Sequence, residues 1–258
     1  MNHVSIIHGA RGILESRHSR PHWPATFGKY LLDQGDAEIF PFYWSGGVGD
    51  LLEGGVIKAY ASHLVSLCAN INDSGSLSIF AKSIGAVIAE CALRQIFLDA
   101  TSKLSVSRLV RVGCPDSRKH IAIPLVNSIV DISSTDDLLC KTSKYPVSGA
   151  LAYFLRPALT SPLPVQKIKI RGLSHQGMNV NCSITDSFME KSSLFELYRN
   201  ALFQARSHDT DPQSVRSIAE KCSSGNINNI MLLSKNTAKG NQNRKQVEKN
   251  NDVSITVL

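Results

Sequence analysis

The sequence predicts an α/β protein, a three-layer α/β/α sandwich around a mostly parallel sheet. Three observations lead there. Short apolar, β-rich runs alternate with longer segments of helical character, the arrangement of strands joined by crossover helices. Most of these runs are near-continuous Ile, Val, Leu and Phe rather than strictly alternating, as in strands covered on both faces. The chain has 258 residues and 43% hydrophobic content, enough for one such domain with a large core.

The elements follow in order. "HVSII" (3–7) is the first strand, with "HGARG" directly after it. A helical segment over 24–34 leads to a second strand, "AEIFPFYW" (37–44), and then to a long helix over 50–70. "LSIFA" (77–81) reads as a buried strand, and 84–99 carries small and apolar residues at helical spacing. "RLVRVG" (108–113), a short helix at 116–123 and "NSIVDIS" (127–133) come next. Segment 141–165 is rich in Pro, Ser and Gly around an apolar middle. It reads as an excursion between strands that could wall a substrate site. "QKIKIRG" (166–172) is the last strand and 190–206 the last helix. Residues 1–206 are thus expected to form one domain. Beyond about residue 207 the composition turns to Asn, Ser, Lys and Gln, so 207–258 is expected to be a polar, flexible tail. Two short apolar pieces within it, "IMLL" and "VSITVL", could dock locally or bind a partner.

Composition narrows the function classes. The net charge is +7, but no Lys/Arg block with interleaved aromatics is present, so no nucleic-acid partner is expected. The six cysteines are spread singly, with no C-x-x-C pair and no zinc spacing, so they read as reduced and mostly structural, with no metal site. His18 and His22 stand four apart, but in a proline-containing stretch that is a poor scaffold for a metal pair. The first residues show no basic region followed by an apolar core of the secretory type, and no apolar run reaches the roughly 18 to 20 residues that cross a membrane. A cytoplasmic protein is expected, with at most transient contact at a membrane surface.

The chemistry concentrates at Ala81-Lys82-Ser83-Ile84-Gly85, where a strand turns into a helix. A serine there is either a helix cap or a nucleophile presented by a tight elbow of the small-x-Ser-x-Gly type. Small residues on either side are what such a turn requires, because strand and helix crowd each other there. The amide of Ile84 would lie at the helix N-terminus, where negative charge is favoured. A serine hydroxyl needs a base to take its proton and a carboxylate to orient that base. In open α/β sheets such partners lie on loops past the C-terminal ends of strands. "STDDLLC" follows "NSIVDIS" and offers Asp136, with the adjacent Asp137 as fallback. "LSHQGMN" follows "QKIKIRG" and offers His175, the only histidine between the last strand and the last helix. After the first strand, His8-Gly9 lets the backbone approach the corner, and Ala10 or Arg11 could donate a second amide, Ala10 being preferred. His8 itself reads as a structural hydrogen-bonding residue. Lys82 and Arg11 could face an anionic substrate. "FPFYWSGG" (40–47) and "LAYFLRPAL" (151–159) are equally compatible with an apolar acyl pocket and with core or surface packing.

Taken together, "SIIHGARG", "IFAKSIGA", "SSTDDLL" and "GLSHQGM" resemble the α/β-hydrolase superfamily, in particular its compact bacterial serine esterases and lipases. The resemblance spans roughly residues 3 to 206, with Ala81 replacing the usual first glycine of the elbow. It implies the α/β-hydrolase fold without a large cap domain, a catalytic domain that needs no cofactor, and a triad of Ser83, Asp136 and His175. It also implies an oxyanion hole built from the backbone amides of Ala10 and Ile84. The expected activity is cleavage of a small-molecule or lipid ester through an acyl-enzyme. A thioesterase or amidase with the same triad, and a binding protein on this scaffold, are the alternatives.

Overall fold

The computed structural model describes residues 2–10, 22–71, 75–99, 104–115, 125–137, 165–170, 173, 175, 178, 192–203 and 256–257. Seven strands form one sheet in the order β2-β1-β3-β4-β5-β6-β7. They are β1 (Asn2–Ile7), β2 (Ala37–Phe42), β3 (Ser76–Lys82), β4 (Val106–Val112), β5 (Ile129–Ser134), β6 (Val165–Ile170) and the two-residue β7 (Thr256–Val257). β1 to β6 are parallel to their neighbours, and β7 runs antiparallel to β6. The helices are α1 (His22–Asp33), α2 (Val48–Leu52), α3 (Gly55–Asn70), α4 (Ile84–Leu98) and α5 (Ser192–Phe203).

Strand periodicity sorts the side chains between two cores. In β1, Val4 and Ile6 face α1 and α5, while Ile7 faces the α2, α3 and α4 side. In β3, Phe80 joins the first core, and Leu77, Ile79 and Ala81 join the second. The first core centres on aromatic rings: Phe27 of α1 lies 4.7 Å from Phe80 and 5.2 Å from Phe195 of α5. Phe27 and Phe80 are both fully buried, so truncating either to alanine would cost about 3–5 kcal/mol. Helices thus cover both faces of the middle strands, and this is why β1 and β3 read as near-continuous apolar runs.

The outer strands are protected in different ways. β2 carries Pro41, which a sheet tolerates at an edge. β6 carries Lys167 and Lys169, and Thr256–Val257 of the C-terminal segment add to it opposite Lys169 and Ile168.

Two expectations change. The single helix over 50–70 is two helices, because Gly54 takes a left-handed φ of 69° and stops α2 before α3 begins. Strand 37–44 ends at Phe42. The helix expected at 116–123, the excursion at 141–165 apart from Val165, which opens β6, and the tail from 207, apart from Thr256–Val257, lie outside the described residues.

The strand order also sets where a ligand can sit. The chain steps from β1 to β2 on one side, then returns to β3 on the other side of β1. A crevice opens at such a reversal, above the C-terminal ends of β1 and β3. "HGA" and the Ser83 corner are at those two ends.

Candidate active site

Ser83 joins β3 to α4 with φ 53° and ψ −130°, and it is the one non-glycine with positive φ among the described residues. Holding a serine there costs on the order of 1–3 kcal/mol, which the surroundings must supply. Its N–H donates to Val112 O at 2.8 Å, and its carbonyl accepts from Ala86 N at 3.0 Å. The hydroxyl makes no capping bond to α4, which removes the cap reading. The neighbours are small because there is no room. A Cβ on Gly85 would sit 2.5 Å from His8 O, and one on Gly9 would sit 2.7 Å from Ser83 Cβ. Ala81 pairs with Ile7 and is fully buried, so the position normally held by glycine accepts a methyl group here.

The freed hydroxyl meets His175: Ser83 Oγ lies 2.8 Å from His175 Nε2. On the other side of the ring, Nδ1 lies 2.7 Å from Asp137 Oδ2. A carboxylate at Nδ1 holds the proton there, which leaves Nε2 as the acceptor for the serine hydroxyl. Asp137 is fully buried.

Asp136, the residue expected to orient the histidine, does not do so. β5 ends at Ser134, and the chain turns back at once. Asp137 N donates to Ser134 O at 3.3 Å, and Asp136 N donates to Ser134 Oγ at 3.2 Å. The turn leaves Asp136 exposed at its corner, accepting from Thr135 Oγ1 at 3.2 Å, and swings Asp137 back over the sheet toward the imidazole.

Three residues of this arrangement were not anticipated as site residues. Gly113, at the end of β4, has φ 56°. A side chain there would begin 2.8 Å from Met178 Cε and 3.3 Å from both Asp137 Oδ2 and His175 Cε1, so glycine leaves the space in which Asp137 and His175 meet. Its place directly after a strand was the available signal. Ser134 Oγ donates to Leu173 O at 2.5 Å, tying the end of β5 to the segment that carries His175. Met178 is buried beneath, its carbonyl accepting from Tyr198 OH at 2.8 Å.

The loop after β1 is clamped. His8 is buried and stacks on Trp44, with ring centroids 5.6 Å apart. Trp44 N donates to His8 Nε2 at 3.2 Å, and Trp44 Nε1 donates to His8 O at 3.0 Å. With Nε2 accepting, Nδ1 carries the proton and donates to Gly9 O at 2.7 Å. The structural role expected for His8 is the observed one. Ala10, exposed, follows Gly9 after β1, and Ile84 opens α4; Arg11 lies outside the described residues. Of "FPFYWSGG", Trp44 packs on His8, while Phe42 lies 4.8 Å from Tyr60 of α3, so both serve packing. Residues 151–159 lie outside the described residues.

Two basic side chains turn inward. Lys82 does not face a substrate: it is 3% exposed and donates to His175 O at 3.0 Å. Arg111 of β4 is fully buried, 2.6 Å from Glu90 of α4 and 3.2 Å from Asp131 of β5. Burial alone would lower its pKa, but the surrounding negative groups, Glu90 first, outweigh it and raise the pKa. The pair braces α4, the helix of the serine elbow, against the middle of the sheet.

No family model and no curated protein matches the chain. Solved structures do align with it. One is a protein of Lactobacillus plantarum WCFS1 provisionally described as a cell surface hydrolase, with 11% identity, 86% of this chain and 97% of that chain covered, and a TM-score of 0.47. A hormone-sensitive lipase from a metagenome library is 13% identical, with 76% of each chain covered and a TM-score of 0.42. An esterase of Pyrobaculum calidifontis is 11% identical, with 77% of this chain and 75% of that chain covered and a TM-score of 0.44. At these distances the fold stands on the strand order and the elbow themselves. The chain has the α/β-hydrolase fold. Six parallel strands, helices on both faces and a positive-φ serine between β3 and α4 are its parts.

Proposed function

We propose that this α/β-hydrolase-fold chain is a serine hydrolase acting on carboxylic esters through Ser83, His175 and Asp137. One observation carries the reading: a serine strained at an elbow gives its hydroxyl to His175 Nε2 at 2.8 Å, while a buried carboxylate holds the opposite ring nitrogen at 2.7 Å. In this mechanism His175 takes the Ser83 proton as Oγ attacks the ester carbonyl, and Asp137 steadies the imidazolium. The imidazolium then protonates the departing alcohol. Water, deprotonated by His175 in turn, attacks the acyl-enzyme and releases the acid. The amides of Ile84 and Ala10 are the proposed donors to the oxyanion, Ile84 favoured by its place at the N-terminus of α4. The substrate is a small-molecule or lipid ester. A thioester or amide would pass through the same steps, and nothing in the described residues favours one over an ester.

A fluorophosphonate tests the reading. The expected result is stoichiometric covalent labelling of wild type at Ser83 and none in Ser83→Ala. Folded wild type that does not label, or a Ser83→Ala variant that labels equally, would overturn it.

A further inference from the structure

Lys82 has no part in the chemistry above, yet the chain places an amine inside the molecule immediately before the nucleophile. Lysine is among the residues least often buried, because its charge loses water unless a partner replaces it. Lys82 is 3% exposed, and its Nζ donates 3.0 Å to the backbone carbonyl of His175, ninety-three positions along the chain. It shares a strand face with Phe80, two residues earlier in β3. The side chain is therefore turned into the molecule, toward the backbone of His175, rather than into solvent.

This makes two attachments between the same pair of chain segments. Ser83 Oγ meets the His175 side chain, and Lys82 Nζ meets the His175 backbone. From the other side, Ser134 Oγ donates to Leu173 O at 2.5 Å. The histidine's loop is thus held through its carbonyls by the strand of the nucleophile and by the strand of the acid. Resting on the hydrolase reading, we infer that Lys82 is a positioning residue that sets the distance between His175 and Ser83 by gripping the carbonyl of the base.

The test is Lys82→Met, which keeps most of the stem and removes the donor, beside Lys82→Arg, which keeps a charged donor. Lys82→Met with wild-type circular dichroism should be labelled by a fluorophosphonate about 10–100-fold more slowly, as expected for a displaced catalytic group. On a p-nitrophenyl ester, kcat should fall with KM within about twofold, since uniform binding is untouched. Lys82→Arg should recover most of the rate. Lys82→Met that labels as fast as wild type overturns the inference. So does Lys82→Arg that is folded but as slow as Lys82→Met. If Lys82→Met does not fold, Lys82→Arg decides alone: a rate within about threefold of wild type supports the grip, and a loss of tenfold or more overturns it. If wild type does not label, the hydrolase reading fails separately. The low-field proton resonance of the His175–Asp137 bond then reads the inference, its loss in folded Lys82→Met supporting it and its persistence overturning it.

Discussion

The two sides of the site are built differently. On the nucleophile side, between β1 and β3, position is set by backbone and by lack of space. Gly9 and Gly85 let two main chains touch, and Ser83 is held at φ 53° by main-chain bonds to Val112 and Ala86. On the acid–base side, above β5 and β6, position is set by side chains reaching for carbonyls: Ser134 to Leu173, Lys82 to His175 and Tyr198 to Met178. A half-site made by close packing demands small residues at fixed offsets. A half-site made by side-chain bonds can be assembled from many residue types, and it leaves no short motif.

Several variants sharpen the contrast, beginning with the largest effect. Asp137→Asn should lower kcat about 10⁴-fold, the scale set by loss of a triad carboxylate. Asp136→Asn, one residue away and exposed, should stay within about twofold in the same assay. Next, Gly9→Ala adds a methyl 2.7 Å from Ser83 Cβ and should shift the elbow or its facing loop, costing roughly 10²-fold in kcat/KM with little change in the far core.

Ser134→Ala removes a tie on the other side. It leaves Leu173 O without that donor, and a loss on the order of tenfold in kcat is expected, read in the same ester assay. If Ser134→Ala were neutral while Gly9→Ala abolished activity, the acid–base side would be held by packing as well.

Legibility in the sequence follows the same division. The elbow was readable because Ala81, Gly85 and Gly9 bracket Ser83 and His8 with small residues after strands. The sheet was readable because both faces of its middle strands are covered, which makes β1 and β3 near-continuous apolar runs. The carboxylate beside His175 is Asp137, the fallback, rather than the preferred Asp136, since the choice between neighbours depends on how sharply the chain turns at Ser134. Nothing local in "SSTDD" states that. Lys82 was equally opaque, because its partner is a carbonyl far along the chain. The break between α2 and α3 lies in "EGG", where Gly54 takes the left-handed φ that glycine adopts without strain.

The smallest effect expected is on stability, away from the site. His63 of α3 lies 5.3 Å from Phe42 and 5.8 Å from Tyr60, and burial lowers its pKa, partly opposed by its bond to Phe40 O. The unfolded chain then takes the proton first, near the ordinary value of about 6.5. The stabilising contribution is present above that pH and is lost as pH falls below it. His63→Phe should flatten the decline in thermal midpoint between about pH 6.5 and 5 while leaving ester turnover at neutral pH unchanged.

Ser83 is proposed as a nucleophile whose base is oriented by Asp137. The most direct test of this proposal is the rate of fluorophosphonate modification at Ser83, read by peptide mass for wild type, Asp136→Asn and Asp137→Asn. Wild type and Asp136→Asn should label at the same rate, and Asp137→Asn should be slowed by about three orders of magnitude or more. Asp137→Asn labelling like wild type, with Asp136→Asn the slow variant, would contradict it.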